Sequence, residues 1–184
     1  VGGKALREHF EAINHRNAIF YVEDIIRKEE PFSEWQIRNI HQLILKNIDD
    51  DNAGRYRQQN VLISGATTMP PDYTLLNDKM AHLVDWYNSA AHTFHPIERA
   101  AKVHADFVGI HPFIDGNGRT SRLLMNLELM KAGYPPCVIT VENRLAYYEA
   151  LDQWMAYGIT EPFIQLVTDA VLEGFKPYQV VLGI

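Results

Sequence analysis

The stretch His111-Pro112-Phe113-Ile114-Asp115-Gly116-Asn117-Gly118-Arg119-Thr120-Ser121-Arg122 decides how the chain is read, because it interrupts two runs of helical period. Before it, Ile97, Ala100, Ala101, His104, Phe107 and Val108 recur at the spacing of one helix face, with Pro96 suited to the first turn. After it, Leu123, Leu124, Leu127 and Met130 resume the pattern until Gly133 and Pro135-Pro136 end it. A plain connector would need only glycine and a cap. This one packs an imidazole, a carboxylate, an amide, two glycines and two guanidinium groups together. Gly116 and Gly118 allow positive φ and close backbone approach to a ligand. The next helix is expected to begin near Gly118, so its free N–H groups face back into the loop and favour an anion. Arg119 and Arg122 then lie on neighbouring faces of its first turns. Positive charge there opposes the helix dipole, which a sequence shaped by stability alone would avoid and a phosphate site would want.

These parts define a chemistry. Polyphosphate is met by Arg, N–H donors and usually Mg2+. Asp115 is a hard oxygen ligand suited to Mg2+ shared with phosphate oxygens. His111, just before the cradle, can be neutral near pH 7 and take a proton from an attacking hydroxyl. The residues alone leave a second reading open, a Gly-rich turn with an Asn cap and solvated arginines.

Outward from the loop, most of the chain is also helical in period. Leu6, Phe10, Ile13, Phe20 and Ile25 mark a long first helix. Ser33 and Gln36 form a capping-box signature ahead of a stripe of Ile37, Ile40, His41, Ile44 and Ile48, in which His41 is a core or boundary residue. The acidic turn from Asp49 to Gly54 breaks the pattern, without the spacing of a calcium loop. Asn60-Val61-Leu62-Ile63-Ser64 is short and β-branched, and Gly65 with Pro70-Pro71 bounds a turn, so residues 60–72 are expected to form a small β-hairpin flap. Leu76, Met80, Leu83, Val84 and Tyr87 mark another helix. Two more start near Asn143 and Pro162, the latter carrying Phe163, Leu166, Val167, Ala170 and Val171. No repeat or linker divides the chain, so the expectation is one all-α domain over 1–184 with one small β flap.

Composition narrows the function. The 184 residues, 47% hydrophobic and 22% charged, match an ordinary soluble domain. Seventeen Lys and Arg against 23 Asp and Glu give a net charge of −6, which argues against a dedicated nucleic-acid binder but leaves room for a local anion site. The one cysteine, Cys137, excludes an intrachain disulfide and an all-cysteine zinc site, and suits a reducing compartment. No apolar run approaches a bilayer span, and Val1 to Asn17 lacks a signal peptide's apolar stretch. A cytoplasmic location without membrane contact is therefore expected. The start without Met suggests an excised fragment or a processed chain. His104, His111 and Asp115 could be drawn as a metal triad, but His104 falls on the apolar stripe of its helix and Pro112 breaks the phase before Asp115.

The stretch HPFIDGNGRTSR resembles the signature of Fic domains, HPFx(D/E)GNGRxxR, at every specified position. The resemblance extends outward to His95-Pro96-Ile97-Glu98 with Ala100-Ala101 and His104, to Gly54-Arg55-Tyr56-Arg57 with Val61-Leu62-Ile63, and to Ala132-Gly133-Tyr134-Pro135-Pro136. It covers roughly residues 4 to 175 and implies an enzyme that transfers AMP from ATP to a hydroxyl of a target protein, releasing pyrophosphate. It further implies that His111 is the general base and that Asp115 holds Mg2+ against the α- and β-phosphates. Gly116, Asn117 and Gly118 would form the anion hole, with the Asn117 amide at the α-phosphate. Arg119 would bind the β-phosphate and Arg122 the γ-phosphate. Thr120 and Ser121 would lend helix-start N–H groups or hydroxyls.

The resemblance also implies that the flap clamps the target segment by strand pairing, with Thr67 and Thr68 near the nucleotide. Tyr147 and Tyr148 match the place that lines the adenosine pocket, one facing the ligand and the other packing. Relatives of such proteins remove AMP, or transfer other nucleotides, a phosphate or phosphocholine, which is one alternative; a Fic fold used as a regulatory binding module is another, from a different class. Many Fic proteins are inhibited by a helix carrying (S/T)xxxE(G/N), whose Glu pairs with the arginine matching Arg122. No Ser or Thr here has Glu four residues later. Val1-Gly2-Gly3-Lys4 through His15 resembles the stretch that follows such a helix, so the inhibitory segment is expected upstream of Val1, or else on a separate antitoxin chain.

Overall fold

The computed structural model describes residues 2–183, with side chains from Leu6 onward. Val1 and Ile184, the two ends of the expected 1–184 domain, lie outside the described residues, as does the Val1 that opens the stretch likened to the post-inhibitory segment. Among the described residues there are seven α-helices: α1 Gly2–Arg27, α2 Glu34–Leu45, α3 Leu76–Ser89, α4 Pro96–Ile110, α5 Asn117–Lys131, α6 Arg144–Tyr157 and α7 Glu161–Leu182. Short 3-10 turns precede α3 and α4, at Tyr73–Leu75 and Ala91–Thr93. None of the helices is long and apolar enough to cross a membrane.

The helices begin where local chemistry can satisfy their free N–H groups. Extended Ser33 accepts from the Gln36 N–H through Oγ at 3.4 Å and donates to Gln36 Oε1 at 2.9 Å, which starts α2. At α4, His95 Nδ1 accepts from the Ile97 N–H at 3.3 Å, and Pro96 occupies the first turn. Helix α5 starts at Asn117, one residue before the sequence suggests, on a Gly116 cap with φ +79°.

Helices α4 and α5 form a hairpin between two cores. On one side Phe107, Phe113, Leu124 and Leu127 meet Val22, Ile25, Ile37, Ile40 and Met80 from α1, α2 and α3. On the other, Ala101, Ala105, Met125 and Leu129 meet Leu151, Phe163, Val167 and Val171 from α6 and α7. Each fully buried Leu, Ile, Phe or Met side chain contributes about 1.5–3 kcal/mol. Arg99 and Glu128 staple the hairpin at 2.6 Å, with Glu128 buried. The signature loop joins the two helices at one end of this hairpin.

Two expectations are corrected here. The α1 helix is present, but Leu6, Ile13 and Phe20 lie on its exposed side, while Asn14, Ala18, Val22 and Ile25 face the core. Asn14 is inside because its Nδ2 donates to Ile44 O at 3.2 Å and Lys46 O at 2.6 Å, capping the open end of α2. The β-hairpin expected over residues 60–72 is absent, and no strand occurs among the described residues. The segment is closed by side chains instead: Asn60 Nδ2 donates to Asp72 Oδ2 at 2.8 Å, and Asn60 Oδ1 accepts from the Tyr73 N–H at 2.9 Å. Pro70 and Pro71 remove the donors that a returning strand would need.

Candidate active site

At His111 the chain leaves α4 with φ 49° and ψ 57°, a left-handed turn costly for a residue other than glycine. Three bonds hold it there. The His111 N–H donates to Phe107 O at 3.0 Å, Arg57 Nε donates to His111 O at 2.9 Å, and the Arg57 N–H donates to Pro112 O at 2.9 Å. The imidazole is half-buried, with Nδ1 3.3 Å from Val108 O. A proton on Nδ1 directed at that carbonyl leaves Nε2 as the accepting nitrogen. Burial pushes its pKa below the ordinary histidine value, helped by Arg57 and opposed by the Val108 carbonyl and Asp115.

Beyond His111 the loop folds back on itself. The Asn117 side chain donates to Phe113 O at 2.8 Å and accepts from the Phe113 N–H at 3.0 Å, so both ends of its amide are engaged in closing the loop. Asp115 is half-exposed at the rim. Its Oδ1 accepts from the Gly116 N–H at 2.6 Å, and its Oδ2 lies 2.8 Å from Arg7 and 3.2 Å from Arg119. Burial would raise the Asp115 pKa, but the Gly116 N–H, Arg119 and Arg7 prevail and hold it below the ordinary value. The first intrahelical bond of α5 runs from the Thr120 N–H to Gly116 O. The N–H groups of Asn117, Gly118 and Arg119 therefore stand ahead of the ladder, at the positive end of the helix dipole.

The two arginines flank this end. Arg119 also contacts Glu11 of α1 at 3.3 Å, and Glu11 contacts Arg7 at 3.2 Å, so a carboxylate and a guanidinium from α1 reach the loop. Arg122 lies back over Gly118, where an added Cβ would sit 3.4 Å from its Nη1. His15 of α1 faces the same pair, and its pKa falls through burial and then through Arg122 and Arg119. The result is a helix N-terminus flanked by guanidinium groups, with the Asp115 and Glu11 carboxylates between them and the His111 imidazole on the same loop. It suits an anion with several charges.

The Fic/DOC family model matches residues 31–129, more than half of the chain and all of this loop. The chain belongs to that family. It is 39% identical over 92% of its length to the protein adenylyltransferase Fic of Aedes aegypti, and 42% identical over 91% to that of Nematostella vectensis. It spans 34% and 39% of those proteins, between a third and two fifths of their length. Among solved structures it superposes on Fic-1 (residues 134–508) from Caenorhabditis elegans with a TM-score of 0.88 and 35% identity, covering 100% of this chain and 54% of that one.

Within this Fic domain, several residues singled out by sequence lie away from the anion rim. Thr120 and Ser121 are fully buried, so their hydroxyls face inward. Ser121 Oγ donates to Gly118 O at 3.0 Å and lies 3.2 Å from His104 Nε2. Tyr147 is also buried, with its hydroxyl 3.1 Å from His104 Nε2 and beside Arg122, whereas Tyr148 is exposed next to Arg144. His104 is therefore a packed core histidine, its pKa pushed down to about 3 by burial and then by Arg122. Thr67 is fastened to α6: its N–H and Oγ1 donate to the two Asp152 carboxylate oxygens at 2.6 and 2.5 Å. Thr68 lines a cleft of about 700 Å3 with Met69, Trp86, Gly109, Ile110 and Met155.

Four residues that sequence reasoning gave no role shape the Fic site. Arg7 and Glu11 reach it from α1. Arg57, only 3% exposed, donates also to Gln59 O at 2.9 Å and Pro71 O at 2.6 Å, joining the His111 turn to both ends of the flap. His41 lies beneath Asp115. Each meets the loop through a contact distant in sequence, which no local spacing signals.

Proposed function

We propose that this chain transfers AMP from ATP to a hydroxyl of a target protein and releases pyrophosphate. The observation that carries the reading is the pairing of an accepting His111 imidazole with a helix N-terminus flanked by two arginines. The target hydroxyl gives its proton to His111 Nε2 while its oxygen attacks the α-phosphorus. The bond from the α-phosphorus to the bridging oxygen breaks, and the electron pair leaves with pyrophosphate. Free N–H groups at Asn117, Gly118 and Arg119 receive the charge that develops on the α-phosphate, in place of the Asn117 side chain, which is engaged with Phe113. Arg119 and Arg122 bind the outer phosphates in this reading. The names of the Aedes and Nematostella relatives support the same reaction.

The donor set suits Mg2+. No group of three or more His, Cys, Asp or Glu side chains that could hold a metal occurs among the described residues, so a closed protein cage is not in play. A single half-exposed carboxylate is what Mg2+ uses when phosphates and waters complete its shell. Asp115 would hold it, and the ion would neutralise phosphate charge. Residues 64–69 form the flap surface proposed to receive the target. Tyr148 is the tyrosine of the pair left to a nucleoside. A carboxylate delivered to Arg122 from an inhibitory helix or antitoxin would compete with the γ-phosphate for one guanidinium.

The test is mass spectrometry after incubation with Mg2+ and ATP, on the wild type and on His111→Ala. An AMP increment on the chain or on an added protein is expected from the wild type only. Calorimetry should find nucleotide binding largely kept in the variant. Equal transfer by both would remove His111 from the mechanism.

A further inference from the structure

His41, on α2, is completely buried under the signature loop. Its ring lies face to face with Phe113, centroids 3.5 Å apart and planes 2° from parallel. Nδ1 accepts from the Gly54 N–H at 2.9 Å, and Nε2 is 2.9 Å from Asp115 O. These two contacts fix the tautomer. A backbone N–H can only donate, so Nδ1 is unprotonated, and a carbonyl can only accept, so Nε2 carries the hydrogen. Burial favours the uncharged ring, with a pKa pushed down to about 4.

The loop backbone presses on this ring. A Cβ added at Gly116 would lie 3.1 Å from His41 Nε2 and 3.2 Å from Cδ2, closer than most packed side chains come, at a backbone φ of +79° that already favours glycine. The peptide between Asp115 and Gly116 thus rests directly on the imidazole. That peptide sets where the Asp115 carboxylate leaves the loop and where the α5 N-terminus opens.

We infer that His41, as the neutral Nε2–H tautomer, is a positioning residue that holds the Asp115–Gly116 peptide and so aims the carboxylate and helix N–H groups at metal-bound phosphate. The inference rests on the phosphate reading of the loop. It assigns His41 no contact with nucleotide. Its hydrogen bond to Asp115 O carries the positioning, while the bond from the Gly54 N–H orients the ring.

Isosteric substitutions separate the two nitrogens. His41→Gln keeps a donor near the Nε2 position, and His41→Asn keeps an acceptor near the Nδ1 position. Calorimetry with ADP and Mg2+ should find His41→Gln within about threefold of wild-type affinity and His41→Asn weakened roughly fivefold or more, as expected for one lost buried hydrogen bond. Thermal unfolding of both variants checks that they fold. Equal affinities in the two variants, or a larger loss in Gln than in Asn, would overturn the inference.

Nitrogen-15 NMR of the wild-type imidazole at neutral pH gives a readout that needs no variant and no nucleotide. The Nε2–H tautomer is expected at His41, and the Nδ1–H tautomer or an imidazolium would overturn the inference directly. Failure of the wild type to bind Mg2+ and ADP is a different result: it would overturn the phosphate reading, and the inference with it, whatever the tautomer.

Discussion

Asn117→Ala offers the sharpest test of how the loop is built. The side chain is 2% exposed, and its amide bridges the N–H and C=O of Phe113 at 3.0 and 2.8 Å. Both of those backbone groups lie in a buried environment, because Phe113 is completely enclosed. Truncation strands a donor and an acceptor, each costing about 1–3 kcal/mol when left unsatisfied. Water entering the space left by the amide would recover part of this, which places the expected loss at roughly 2–4 kcal/mol. That is a large share of the roughly 5–15 kcal/mol by which a domain is stable. For a chain of this size it corresponds to a melting temperature lower by about 4–16 °C.

Asn117→Asp refines the test. It can still accept from the Phe113 N–H, but it sets a carboxylate oxygen against Phe113 O where an N–H stood. Urea titration should therefore find the aspartate variant no more stable than the alanine variant, despite its near-identical shape. Hydrogen exchange should show the Phe113 amide opening faster in the alanine variant than in the wild type. A loss below about 1 kcal/mol in Asn117→Ala, with Phe113 still protected, would refute the account of a side-chain clamp.

Other outcomes follow from the charges and the flap. His41 and His104 are neutral in the fold, with pKa values pushed down to about 4 and about 3, against an ordinary 6.5 in the unfolded chain. Their contribution is fully present above pH 6.5 and declines as the pH falls toward those folded values. Each should lower the folding equilibrium about tenfold per pH unit, and urea titrations at pH 7, 6 and 5 that show no decline would refute this. Arg7→Gln frees Asp115 Oδ2 from one of its two guanidinium partners. Because that pair is exposed, Mg2+-dependent nucleotide binding should tighten by no more than about fivefold, and weaker binding would contradict a competing role. Asp152→Ala releases Thr67, so limited proteolysis should cut residues 64–69 faster, and unchanged cleavage would mean that the flap is held by other contacts.

What the sequence could convey depended on how far each residue reaches. The faces of α2, α4 and α7 were legible because Ile37, Ile40, Ile44, Phe107, Phe163 and Val167 meet their cores at the period of their own helix. The loop's composition was legible for a similar reason. Glycines, a carboxylate and two arginines at a helix start form one local chemistry, and the structure brings Asp115, Gly116, Gly118 and Arg119 to one rim. The α1 face was misread because Asn14 answers to the carbonyls at the end of α2, which no periodicity in α1 contains. The flap was misread because β-branched residues state a preference for strands, while a strand also needs a partner. Here Asn60, Asp72 and two prolines close the segment without a ladder.

The same distinction divides the candidate site into two kinds of residue. Groups proposed to meet the phosphates are contiguous in sequence, so a short motif can carry them. Groups that hold the motif in shape are not. Arg57 bonds to His111 O across 54 residues, and His41 bonds to Asp115 O across 74. Both interactions end on backbone carbonyls of the loop, and a carbonyl is offered by every residue type. No pattern of side chains in the loop could therefore announce which distant donor would find it. The supporting residues become visible only once the chain is folded, because their specificity lies in position rather than in the chemistry of the partner. A buried cation at Arg57 and a buried neutral imidazole at His41 are costly choices for a core, and each is retained where its hydrogen bonds fix the backbone of the loop.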